Sequence, residues 1–137
     1  MDTKTPTASA QTSTQTATKA EVDVCNKEAW KLRRSDTVRA ITLGEKALEG
    51  ASALAYELGL AYANLVLGYA YTRLSSPKLA LNHTKLALGS FIKLSDKEGE
   101  LKALNTLGII YGDSGDLPGA LKTFLSLIGL SDALDDK

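Results

Sequence analysis

Side chains able to do covalent or metal chemistry are scarce in this chain. His83 is its one histidine and Cys25 its one cysteine. A metal site needs three or four such ligands, and an activated thiol needs a base within reach, so neither can be assembled from this spacing. Cys25 falls on one apolar stripe with Val22, Ala29 and Leu32, the position of a small core residue, and His83 falls on what reads as a helix surface. The carboxylates Asp132, Asp135 and Asp136 cluster, but at a helix end and tail, where solvated charge is the ordinary arrangement. The glycines follow neither GxxxxGK[ST] nor GxGxxG, the patterns that cradle phosphate. No catalysis, no metal and no cofactor are expected.

Composition narrows the partners. Sixteen basic residues balance sixteen acidic ones over 137 positions, so no long-range field draws the chain to nucleic acid or an anionic membrane. Apolar residues make up 44% and are mostly Leu and Ala, which suits close helix packing. Of three prolines, Pro6 lies in a polar leader and Pro77 and Pro118 read as helix starts. No uninterrupted apolar run of about 18 residues exists for a membrane span, and no signal-peptide stretch opens the chain. A cytoplasmic, reducing location is the expectation, with one cysteine and no internal disulfide.

The elements follow from an internal echo. Leu67-Gly68-Tyr69-Ala70-Tyr71 recurs as Leu107-Gly108-Ile109-Ile110-Tyr111, 40 residues on, and Ala80-Leu81 recurs as Ala120-Leu121. A fixed period of this size marks units that cannot bury their apolar faces alone and must stack. Residues 1–18, rich in Thr, Ser, Ala and Gln, predict a disordered leader. Helical periodicity then predicts helices over 19–34 and 37–56, a third from near Leu58 with its boundary at Gly59, and others over 77–94, 97–112 and 117–134. Ser35-Asp36, Ser76-Pro77, Asp96 and Asp116 supply starts. The third helix is expected to turn Ala63, Leu67, Ala70, Tyr71 and Leu74 inward, the fourth to pack through Leu79, Leu81, Phe91 and Leu94, and the last to bury Ala120, Leu121, Phe124, Leu127 and Ile128.

Leu-Gly-x-x-Tyr followed by Ala-Leu about nine residues later resembles the tetratricopeptide repeat, with Gly68 and Gly108, Tyr71 and Tyr111, and Ala80 and Ala120 in the signature places. The resemblance covers residues 19–136 and implies an all-α, right-handed superhelix of three tandem hairpins, an α-α solenoid with repeats at about 19–57, 58–95 and 96–136. The period of 40 exceeds the family's usual length of about 34, Thr84 stands where a bulky aromatic is usual, and Ala29 and Leu32 replace the glycine and tyrosine of the first repeat. Long repeats of this look also resemble the N-terminal sensory regions of bacterial signalling proteins such as GGDEF-type diguanylate cyclases.

In this family the first helix of each hairpin lines a concave groove. Carried onto this chain, the groove positions are Asp23, Asn26, Trp30, Arg33 and Arg34, then Tyr62, Leu65, Tyr69, Thr72 and Arg73, then Lys102, Asn105, Ile109, Gly112 and Asp113. Trp30, Tyr69 and Ile109 would form a ladder with Arg33, Arg34 and Arg73 at one rim, the chemistry of a peptide anchor. The implied function is a non-catalytic protein–protein interaction module, regulatory or dimerising, ahead of an output domain beyond residue 137. The alternative is a free-standing adaptor or co-chaperone that holds a partner peptide. Asp136-Lys137 aligns with Asp96-Lys97, where a further repeat would begin, so the uncapped C-terminal end is expected to be covered by more chain or by a second copy. Neither nucleic acid nor membrane is expected as a partner.

Overall fold

A computed structural model of the chain describes residues 17–135, so most of the predicted leader and the last two residues lie outside it. Six α-helices account for nearly all of the described residues, and no strand occurs among them. They are α1 (Lys19–Leu32), α2 (Thr37–Ala53), α3 (Glu57–Arg73), α4 (Pro77–Leu94), α5 (Lys97–Asp113) and α6 (Leu117–Asp135). Each helix packs on its neighbours in the chain, and α3 also touches α1 and α5, an arrangement compatible with a helical repeat.

Local chemistry sets these boundaries. Thr18 closes a capping box with Glu21, each side chain bonding the other's backbone N–H. Asp36, Asp96 and Asp116 accept from Arg39, Gly99 and Gly119 N–H at 3.2, 3.0 and 2.9 Å. Ser76 caps α4 by position only: its side chain makes no cap bond, and Pro77 starts the helix. Four helix ends use one device. Ala55, Ser75, Ser95 and Gly115 are left-handed (φ 52°, 58°, 58° and 85°), and the following N–H reaches back to Ala51, Tyr71, Phe91 and Tyr111 O at 2.8–2.9 Å. This stop ends α2 at Ala53, before the expected 56, while α1 gives way at Arg33. Gly59, expected as a boundary, lies inside α3 and is buried: a Cβ there would sit 2.8 Å from Val22 Cγ1 and 3.1 Å from Ala51 Cβ.

The core runs along α3. Ala61 and Leu65 pack with Ala87 and Phe91 of α4 and Ala103 of α5, while Ala63 packs with Val22, Ala47 and Ala51. Val66 joins Ala29 and Ala40. Buried positions on the second helices, Ala40, Gly44, Ala47 and Ala51 in α2 and Ala80, Thr84, Ala87 and Phe91 in α4, recur at the same 40-residue offset, and all but Thr84 and Phe91 are Ala or Gly. The small ones let neighbouring helices approach closely enough for larger side chains to interlock. Leu74, Leu79 and Leu94, expected to pack inward, are instead largely exposed, because they lie beside a helix end or on the side away from α3. Leu121 and Ile128 are also exposed, because α6 packs chiefly against α5 among the described residues.

Candidate groove on the first helices

The predicted groove residues divide into three groups. The first lines two adjoining cavities between α1, α3 and α5. One, of about 510 Å³, is walled by Asp23, Asn26, Lys27, Trp30 and Lys31 of α1, Tyr56, Leu58, Tyr62, Leu65 and Val66, and Lys102 of α5. The other, of about 330 Å³, shares Trp30 and Lys102 and adds Arg33, Tyr69, Leu101, Asn105 and Thr106. The second group stands apart. Arg34 and Arg73 are exposed and, like half-buried Ile109, line neither cavity. Asp113 forms the third, in a separate hollow with Thr72, Ser75 and Pro77 at the helix ends.

Within the first group, roles differ from the expectation. Leu65 is 0% exposed and belongs to the core cluster with Phe91; it is floor, not contact surface. Arg33 is not at a rim. Its guanidinium carbon sits 3.8 Å from the Trp30 ring centroid and 5.2 Å from that of Tyr69, and those rings meet edge to face at 5.9 Å. Its Nη1 donates to Trp30 O at 2.7 Å, while Nε is buried without a partner. Burial holds its pKa below the ordinary arginine value, partly opposed by Tyr69, and the group stays charged at neutral pH. Asn26, buried, donates from Nδ2 to Gly59 O at 3.1 Å, which leaves its Oδ1 without a partner. The wall of the groove thus holds one buried acceptor and one buried donor with no partner among the described residues, each a cost to the fold.

Its charge is also local and one-sided. Lys27, Lys31, Arg33 and Lys102 line the two cavities against Asp23 alone, in a chain of zero net charge. Asp23 is itself engaged, accepting from Tyr56 OH at 2.8 Å. Lys102 Nζ stands 5.7 Å from the Trp30 ring centroid and 6.0 Å from that of Tyr62.

Tyr62 ties this wall to α5, donating to Asp96 Oδ2 at 3.0 Å while Asp96 Oδ1 caps the helix. Burial, and then Asp96, push its pKa from 10.0 to about 12. A phenol whose folded pKa is raised stabilises the fold fully below its unfolded pKa of 10.0, and the contribution disappears as pH climbs through about 12. Urea unfolding of the wild type should therefore lose stability over that alkaline range, and Tyr62→Phe should show a shallower loss. Parallel curves for the two proteins would contradict the assignment.

Outside the groove, one residue differs from its expected place and one had none. His83, expected at the surface, is half-buried: its Nδ1 lies 2.8 Å from Asn64 Oδ1 and its ring stacks on Tyr71 at 5.7 Å. Asn64 carried no sequence signal, since its only mark is lying on α3 opposite α4. Among the described residues no cluster of three or more His, Cys, Asp or Glu could hold a metal. No protein-family model matches the chain, and no curated protein matches it significantly.

Proposed function

We propose that this chain is a non-catalytic interaction module: three tetratricopeptide-like hairpins in a right-handed superhelix, with α1, α3 and α5 forming a groove for an acidic peptide segment of a partner protein. The observation that carries this reading is one groove in which Lys27, Lys31, Arg33 and Lys102 stand around aromatic rings. Trp30 and Tyr62 supply rigid apolar contact area there. The excess of Lys27, Lys31, Arg33 and Lys102 over Asp23 favours carboxylates on the ligand. The signalling role rests on the resemblance alone: by gripping a peptide, the module would govern a fused output domain, whereas a free-standing adaptor would use the same groove without one.

Trp30 is the only tryptophan, so its fluorescence reports on this groove. Titration with a short peptide carrying several Glu or Asp and one aromatic residue should change that emission saturably, and a Lys-for-Glu version of the peptide should not. Lys31→Glu combined with Lys102→Glu should weaken binding at least tenfold, about 1.4 kcal/mol, with little change in thermal stability, because both side chains are exposed. Equal binding of the acidic and basic peptides, or no saturable change with either, would defeat the proposal.

A further inference from the structure

Resting on the acidic-peptide reading above, we infer that the groove recognises a two-point motif: a bulky apolar side chain in the larger cavity and a carboxylate in the smaller one, carried three residues apart on a polyproline-II-like segment. The two cavities differ in chemistry. The larger has the buried side chains of Leu65 and Val66 as floor and Trp30, Leu58 and Tyr62 among its walls, so a ring or long aliphatic chain placed there leaves water for apolar surface. The smaller is lined by Arg33, Tyr69, Lys102 and Asn105, with no carboxylate among its lining residues. Arg33 is held against two rings and commits Nη1 to Trp30 O, and among the described residues neither it nor Lys102 makes an ion pair. A guanidinium fixed in this way, with further N–H groups to offer, is a fork for a carboxylate.

The helices set the spacing. Trp30 and Lys102 wall both cavities, so the two adjoin at this pair. From Asn26 in the larger cavity to Arg33 in the smaller, α1 advances seven residues, and α3 advances as many from Tyr62 to Tyr69. At about 1.5 Å per residue the two points are about 10 Å apart. A ligand in β conformation places same-side residues about 7 or about 14 Å apart, and so misses one of them. A polyproline-II segment turns once in three residues and sets the first and fourth on one side, about 9 Å apart. That conformation fits both cavities at once.

Trp30 fluorescence of the full chain, titrated with acetylated and amidated peptides, tests the motif without any terminal carboxylate. Peptides with two serines between Phe and Glu, made in both orders, should give a best binder about tenfold tighter than same-composition peptides with Phe beside Glu or with six residues between them. Replacing those two serines by prolines should tighten binding several-fold, because less freedom is lost. Glu→Gln in the best peptide should weaken it about tenfold against the wild type and less than about threefold against Arg33→Gln. Equal affinity at all spacings, a best spacing of seven as a helical ligand would need, or weaker binding with prolines would each overturn the motif. So would a Glu→Gln loss that is unchanged in Arg33→Gln. The spacing series uses the wild type, so it decides the matter even where that variant fails to fold. Failure of these peptides while the multiply acidic one binds defeats the motif alone; failure of every acidic peptide defeats the acidic-peptide reading with it.

Discussion

Phe91→Ala should lower the unfolding free energy by about 3–5 kcal/mol, the largest loss expected from any single truncation in this chain. Phe91 is 0% exposed and is the largest of the fully buried side chains. Its ring meets Tyr62 edge to face at 4.8 Å and packs with Leu65 of α3 and Ala103 of α5, so one side chain joins three helices. Three of the four other buried residues in its cluster are alanines, which cannot reach into the space a deleted ring leaves. Gly99 lies against the same ring, and a Cβ there would collide with it. Small-domain stabilities total about 5–15 kcal/mol, so a melting temperature lower by about 10 °C or more is expected. Thermal denaturation checks it. A shift of a degree or two would mean that α4 and α5 repack without the ring and that the core is not organised around it.

Gly68→Val should cost about 3 kcal/mol, at the upper end for overpacking, although valine favours a helix over glycine in isolation. Where α3 crosses α4, a Cβ on Gly68 would collide with Thr84 Oγ1 and come within 3.1 Å of Thr84 N and 3.2 Å of its Cβ. A backbone nitrogen cannot swing aside, so the helices must part. The repeat supplies its own control in Gly108, where a Cβ would meet the Phe124 ring at 2.5 Å. Phe124 is half-buried on α6, the last helix of the described residues, and its ring can turn away. Gly108→Val should therefore cost at least 1 kcal/mol less, by urea unfolding. Equal losses at the two positions would show that the crossing of α3 and α4 is no tighter than that of α5 and α6. Thr84 explains the contrast: a hydroxyl-bearing residue of middle size at this crossing leaves Gly68 no room, and its Oγ1 is buried without a partner.

The amino-acid sequence by itself determined six helices, the second and fourth starts at Asp36 and Pro77, the acidic caps of α5 and α6, and the 40-residue register that places Gly68 with Gly108. These are local effects: a cap reaches three residues, a proline acts on its own turn, and an apolar stripe reports the side of a helix that turns from water. Only the tertiary structure decided which neighbour meets that side. Leu65 and Tyr62 both sit at groove positions of α3, yet the helix crossings make one a core residue and leave the other to line the cavity and bind Asp96. Arg33 and Arg34 are adjacent, and one turn of backbone lays the first over two rings while the second points to solvent. Leu121 and Ile128 carry the same apolar signal as Leu81 and Leu88 of α4, which are half-buried, and stay exposed because burial depends on a partner surface that a periodic pattern cannot supply.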